Sequence, residues 1–303
     1  MNAKQITKRG YGFKEAEVVK IEGLSKLLER FTKRIGISYT GSSTLKSYRR
    51  AVRDLSLFNG ALPNDLEVDQ ILDYLHELRT QGLSWAKIKI DVAGLKFFYR
   101  EMTHDPVKAD HIPYPKEEKS LPKLLSREEL LQLFDAALNP KHRLILRLIY
   151  GSGLRRSEVI NLRIDDIDTR DGKCRIRINK SKGAKDRYTV LSTKVLEELR
   201  TYFLACRPKV YLFNGQKKGQ PVSFGLLRHI TLKAIERSGI TKPVNLHILR
   251  HCFASHALED GMSLRVLQEI LGHSSIQTTM VYLHVSDVPL QGAFSPLDNI
   301  EEK

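Results

Sequence analysis

Cysteine is scarce: Cys174, Cys206 and Cys252 are the only three in 303 residues, far apart and with no C-x-x-C pair. That excludes a disulfide framework and cysteine-rich zinc sites, and it fits a reducing compartment. Long apolar runs are missing too. None approaches the roughly 20 residues a bilayer-spanning helix needs, and the opening M-N-A-K-Q-I-T-K-R-G lacks the apolar core of a signal peptide. A cytoplasmic protein without a membrane partner is expected. No internal repeat is visible, so a solenoid is excluded. Acidic residues are outnumbered, with 50 Lys and Arg against 35 Asp and Glu, a formal net charge of +15. Such a balance suits a nucleic-acid partner, although solubility charge alone has the same sign.

What is present is an ordinary globular composition, 41% hydrophobic and 28% charged, on a chain long enough for about two domains. Residues 1–100 hold 18 basic and 11 acidic side chains, 101–121 hold 3 and 5, and 122–303 hold 29 and 19. Two basic blocks therefore flank an acidic connector. Leu24, Leu27, Leu28, Phe31 and Ile35 recur at helical spacing up to Gly36. Leu45, Tyr48, Val52 and Leu55 repeat the pattern up to Asn59-Gly60, followed by Ile71, Leu72, Leu75 and Leu78, and then Trp85, Ile88, Val92, Leu95 and Tyr99. Residues 23–103 read as a four-helix bundle, preceded by an arm over 1–22. Lys46, Arg49, Arg50 and Arg53 on the second helix, with Lys89, Lys96 and Arg100 on the fourth, form basic stripes suited to DNA phosphates. Four prolines between Thr103 and Pro122 predict an extended linker over 104–121.

The second domain, 122–303, begins with a Ser126/Glu129 capping box and continues through L-I-L-R-L-I-Y to Gly151. K-C-R-I-R-I-N (173–179) and R-Y-T-V-L (187–191) alternate as strands, predicting a β-hairpin with lysines at its tip. Helices are expected over 194–206, 223–237, 245–259 and 263–272, with a short one reaching Tyr282. The fold class is thus mainly α with a small β-sheet.

Four segments stand out: G-S-G-L-R-R-S-E-V-I-N-L (151–162), K-S-K-G-A-K-D-R (180–187), H-I-L-R-H (247–251) and L-G-H-S-S-I-Q-T-T-M-V-Y (271–282). In this order and spacing the chain resembles the tyrosine recombinases, the phage integrase family, in its compact Xer-like or transposon-type form. The resemblance covers residues from about 121 onward closely, and the bundle more loosely as a core-binding domain. It implies Arg155, Lys182, His247, Arg250, His273 and Tyr282 as the catalytic set, with Glu158 supporting Arg155, and no metal or other cofactor. It further implies DNA cleavage through a 3′-phosphotyrosyl bond, double-stranded DNA as partner and a homotetramer on two sites assembled from free monomers. Accessory DNA-bending proteins and a bacterial or phage-derived, nucleoid-associated setting belong to the same expectation.

The residue types suit that chemistry. A pentacoordinate phosphate gains negative charge, which forked, permanently charged guanidinium groups meet better than lysine does. A tyrosine hydroxyl, with a pKa near ~10, needs cations or a proton acceptor to act as a nucleophile at neutral pH. A lysine at a hairpin tip can protonate the departing 5′-oxygen. Arg156 competes with Arg155, and Lys180 and Lys185 compete with Lys182; Lys185 is also a candidate phosphate anchor. His247, His251 and His256 share a helix, but no carboxylate or cysteine completes a zinc set there. In the tail, 283–303, Ser295 and Pro296 are expected to open a short helix whose Leu297 and Ile300, with Phe294 just before it, need a protein surface. The resemblance implies a neighbouring subunit, and the chain's own domain is the alternative. Type IB topoisomerase activity and a non-cleaving DNA-binding role are the competing functions.

Overall fold

In the computed structural model, which describes residues 13–39, 41–116, 124–179, 186–217 and 219–284, the periodic segments of the first block form four helices. These are α1 (Leu24–Ser38), α2 (Ser42–Asn59), α3 (Val68–Thr80) and α4 (Trp85–Glu101). Their apolar stripes meet in one core around Leu28, Phe31, Val52, Leu55, Leu78 and Phe98. Gly36 does not end α1, which runs two residues further. Gly60, with φ of 70°, does end α2, as its freedom to be left-handed allows. At the α2–α4 crossing Gly94 lies against the Tyr48 backbone, and a Cβ there would sit 3.0 Å from the Tyr48 Cα.

Two boundaries differ from the sequence reading. Residues 13–22, expected as part of an arm, dock on the bundle: a 3₁₀ turn, Glu15–Lys20, buries Val18 and pairs Glu15 with Arg49 and Arg53. Residues 104–116 are not extended linker throughout. Asp105 caps and Pro106 opens α5 (Pro106–His111), whose Ala109 joins the bundle core together with Ile112 just beyond it. Proline at the first helical position lacks only a donor that would be unpaired anyway, so Asp-Pro here starts a helix. Lys96 then donates to the carbonyls of Ala109 and Ile112 (2.6 and 2.9 Å), and Trp85 Nε1 donates to Pro115 O (2.7 Å).

The chain divides into two compact units, residues 1–120 and 121–303. The second opens with α6 (Arg127–Asp135) under the predicted Ser126/Glu129 capping box and α7 (Pro140–Ser152), followed by α8 (Arg156–Asn161). A three-stranded antiparallel sheet comes next, in the order β1 (Ile167–Asp168), β2 (Arg175–Ile178), β3 (Arg187–Val190). The β2–β3 pairing sets Ile176 against Thr189 and Ile178 against Arg187. Five helices complete the unit: α9 (Thr193–Cys206), α10 (Phe224–Ser238), α11 (Leu246–Glu259), α12 (Leu264–Leu271) and α13 (Gln277–Met280), followed by a 3₁₀ turn, Val281–His284. The apolar α7 and α11, buried on most sides, form the centre against which the site is built. Among the described residues no helix is long and apolar enough to cross a membrane.

Candidate active site

The site grows from the C-terminal end of α12. A helix end leaves carbonyls without internal partners, and here three arginines from three other elements supply donors. Arg187 Nε on β3 donates to Ile270 O (2.8 Å). Arg250 on α11 donates to Leu271 O (2.7 Å), and Arg155, at the start of α8, donates to Gly272 O (2.9 Å). Gly272 is left-handed (φ 64°), and a Cβ on it would lie 2.7 Å from the Arg187 side chain, so glycine is required on both counts.

Glu158 ties these arginines together. Its buried carboxylate accepts two bonds from Arg187 (2.8 and 3.0 Å), one from the Arg155 side chain (3.0 Å) and one from the Arg155 backbone N–H (2.7 Å). Burial would raise the Glu158 carboxyl, but the hydrogen bonds and charges of Arg187 and Arg155 outweigh it and hold the group below the usual carboxylate range. Arg250 is 4% exposed and also donates to Gly153 O (2.6 Å), the left-handed end of α7. Burial first, then Arg155, pulls the Arg250 guanidinium down to about 10, which still leaves it charged at neutral pH. Among the described residues, three of its five N–H groups meet acceptors.

His273 accepts from Arg250 at Nε2 (3.1 Å). A guanidinium has only donors, so the imidazole proton sits on Nδ1, which donates to Thr279 Oγ1 (2.9 Å). Tyr282, 3% exposed, lies between two imidazoles. The His273 ring stacks on it with centroids 6.4 Å apart, and His251 Nδ1 is 2.9 Å from its hydroxyl. Burial raises the Tyr282 phenol, and Arg250 and Arg155 oppose the rise.

Of the residues singled out from sequence, Arg155, Glu158, Arg250, His273 and Tyr282 converge here. His247, three residues before Arg250, keeps one side open to solvent; partial burial of its ring first, then the charges of Arg250, Arg156 and Arg155, lower its imidazole. Arg156 turns away to stack on Phe224 (3.9 Å to the ring centroid), which leaves Arg155 at the site. Lys182, Lys180 and Lys185, and the tail beyond residue 284, lie outside the described residues. Two neighbours were missed by sequence reasoning. Arg187 looked like the first residue of a strand, and His251 like one member of a histidine-rich helix. Only the R-H adjacency at 250–251 and the register of the 180–187 segment hinted at either.

The bundle candidates stand differently from the expected free stripes. Arg53 is held by Asp54 and Glu15, Arg49 by Glu15, and Arg100 by Asp110. Lys96 caps α5, and the Arg50 Nε is buried. These pairings arise because residues 13–22 and α5 fold back to offer Glu15, Asp110 and the carbonyls of Ala109 and Ile112 as partners, while Asp54 on α2 itself holds Arg53. Lys46 and Lys89 are exposed, Lys89 lying over the Trp85 ring (4.6 Å).

Five imidazoles, His142, His247, His251, His256 and His273, sit below the usual histidine value, each with burial as the largest cause. For His273, burial with Arg250 and Arg155 brings it to about 4. A folded value below the unfolded one adds stability above the unfolded value of ~6.5, and that stability is lost as pH falls toward the folded value. Melting temperature is therefore expected to fall from pH 6.5 to pH 4. The decline should be shallower in His273→Gln, whose amide satisfies both neighbours without titrating; parallel curves would refute the assignment.

The sequence and the fold are both shared with known proteins. Residues 123–288 match the model for the phage integrase family, and residues 27–109 match that for the phage integrase N-terminal SAM-like domain. A putative integrase/recombinase, y4qK, of Sinorhizobium fredii is 35% identical over 277 residues, covering 91% of this chain and 89% of the relative. Tyrosine recombinase XerA of Thermococcus onnurineus is 32% identical over 272 residues, 88% of this chain and 93% of the relative. Among solved structures, a lambda integrase(75-356) dimer bound to a COC′ core site superposes with a TM-score of 0.71 at 21% identity, over 92% of this chain and 99% of that one. XerH bound to a palindromic difH substrate superposes at 0.67 and 22%, over 90% and 95%.

Proposed function

The chain belongs to the phage integrase family and is a tyrosine recombinase, an enzyme that cleaves and rejoins DNA strands at specific sites, and from that premise we propose the roles of its residues. Tyr282 attacks the scissile phosphate. The Tyr282 oxygen bonds to phosphorus, the bond to the 5′-oxygen breaks, and a 3′-phosphotyrosyl link and a free 5′-hydroxyl result. Arg155 and Arg250 hold the non-bridging oxygens, His273 orients the Arg250 fork, and Glu158 fixes Arg155 through a carboxylate that also binds Arg187. Lys182 delivers a proton to the leaving 5′-oxygen, and His247 contacts the same phosphate from the start of α11. The observation that carries this reading is the stack of Tyr282 on His273, which itself accepts from the buried Arg250. It puts the nucleophile beside a fixed cation, where developing phosphate charge is stabilised without reorganisation.

Double-stranded DNA is the partner, approached through Lys46 and Lys89 of the bundle, through Arg100 once it leaves Asp110, and through Lys185. Arg49 exchanges its surface pair with Glu15 for a phosphate, an exchange made cheap by the small net worth of exposed ion pairs. Four copies assemble on two sites in the cytoplasm, with the tail of each docking on a neighbour.

Incubation with a nicked duplex, whose cleaved end loses the strand needed for rejoining, tests the function. The duplex is chosen by enrichment from random sequence. A detergent-resistant protein–DNA adduct at one position is expected. Relaxation of a supercoiled plasmid lacking that sequence, at an equal rate, would instead indicate a topoisomerase.

A further inference from the structure

We propose that His251 is the proton acceptor for the nucleophile, its Nδ1 taking the phenolic proton of Tyr282 as the oxygen attacks phosphorus. The proposal rests on Tyr282 being the nucleophile.

Both imidazoles beside Tyr282 are candidates, and their hydrogen bonds separate them. His273 has both nitrogens engaged, Nε2 by Arg250 and Nδ1 by Thr279. His251 is different. Its Nδ1 is 2.9 Å from the Tyr282 hydroxyl, with ring centroids 5.4 Å apart, so a direct transfer needs no water. The backbone explains the placement. Arg250 points into the core toward Gly153 and Leu271, and the next residue on α11, turned about 100° around the helix, faces the 3₁₀ turn that carries Tyr282.

The charged and titratable groups around His251 are His247 and Arg250 on its own helix, Tyr282 on the 3₁₀ turn and His273 after α12. Burial first, then His247 and Arg250, hold the His251 imidazole below its usual value. At neutral pH the ring is therefore neutral, and in the tautomer with its proton on Nε2 the Nδ1 lone pair accepts from the Tyr282 hydroxyl. The step balances: the Tyr282 oxygen–phosphorus bond forms, the phosphorus–5′-oxygen bond breaks, the phenolic proton ends on His251, and the leaving 5′-oxygen takes its proton from Lys182. In rejoining, the 5′-hydroxyl gives its proton to the neutral Lys182 amine as it attacks phosphorus, the phosphotyrosyl bond breaks, and the released phenolate recovers its proton from the imidazolium.

The test is single-turnover adduct formation on the nicked duplex between about pH 5 and 9, with DNA affinity measured alongside. The full-length chain is compared with His251→Ala, His251→Gln and Tyr282→Phe. Glutamine keeps a hydrogen-bond acceptor but cannot take up the proton. If His251 is the acceptor, both His251 variants bind DNA normally and slow by about 10²-fold or more. They also lose the rise in rate that the unaltered chain shows on leaving acid pH, and keep accelerating above pH 8 as the phenol ionises unaided. A His251→Gln rate within about threefold of the unaltered chain would overturn the proposal, as would slowed variants that keep the acid limb. A normal adduct from Tyr282→Phe would overturn the nucleophile itself; no adduct from Tyr282→Phe with normal His251→Gln would overturn the role of His251 alone.

Discussion

Tyr282→Phe is expected to bind its DNA site as tightly as the unaltered chain and to leave no covalent adduct. The change removes one oxygen and keeps the ring that stacks on His273 and packs with Phe253, Leu267 and Leu271. The lost hydrogen bond to His251 costs about 0.5–1.5 kcal/mol, a small shift in melting temperature. Cleavage is affected far more. Removing a covalent nucleophile lowers the rate by a factor on the order of 10⁶, to background in a gel assay. Binding and cleavage measured on the same nicked duplex therefore separate by several orders of magnitude. Loss of both together would mean that the hydroxyl holds the fold.

Arg250 combines the two roles that Tyr282 keeps apart. Arg250→Ala leaves the carbonyls of Gly153 and Leu271 without their donor in a buried setting, at about 1–3 kcal/mol each before relaxation. On the proposed mechanism it also removes a fixed cation from the phosphate, worth about 10²–10³ in rate. Arg250→Lys restores the charge without the fork, because one ammonium cannot reach both carbonyls and His273 Nε2 in the same geometry. We expect thermal unfolding to show Arg250→Lys nearer the unaltered chain than Arg250→Ala, and cleavage to remain at least about 10²-fold impaired in both. A lysine variant that cleaves within threefold would show that charge alone suffices at this position.

Much of this architecture is legible in the sequence because it is local. The apolar stripes of α1 to α4, the Ser126/Glu129 box and the alternation at Cys174, Ile176 and Ile178 are all short-range patterns. What was misread needed a second element. The Asp-Pro pair at 105–106 looks like a helix breaker until the bundle offers Ala109 and Ile112 a place in its core. The basic stripe on α2 looks free until Glu15, 34 residues before Arg49, folds back on it. β1 has two residues and exists only because β2 pairs with it.

The site follows the same rule. Arg155, Arg250, His273 and Tyr282 can be picked out by motif, but the frame that sets their geometry cannot. Arg187 reaches Ile270 across 83 residues, and His251 meets Tyr282 across 31. Both contacts are products of packing α12 and the final 3₁₀ turn against α11 and β3. The carboxylate that joins them, Glu158, is marked in sequence by its spacing from Arg155. The two hydrogen bonds it accepts from Arg187, beside the one from the Arg155 side chain, turn two separate arginines into one fixed array.

On the proposed mechanism, cut DNA is held through the oxygen of Tyr282. The adduct trapped on a nicked duplex can be digested with protease and nuclease and the modified peptide sequenced by mass spectrometry. The account predicts a nucleotide joined through its 3′-phosphate to Tyr282, in the peptide that follows Arg265. A nucleotide on any other side chain, or one joined through a 5′-phosphate, would contradict it.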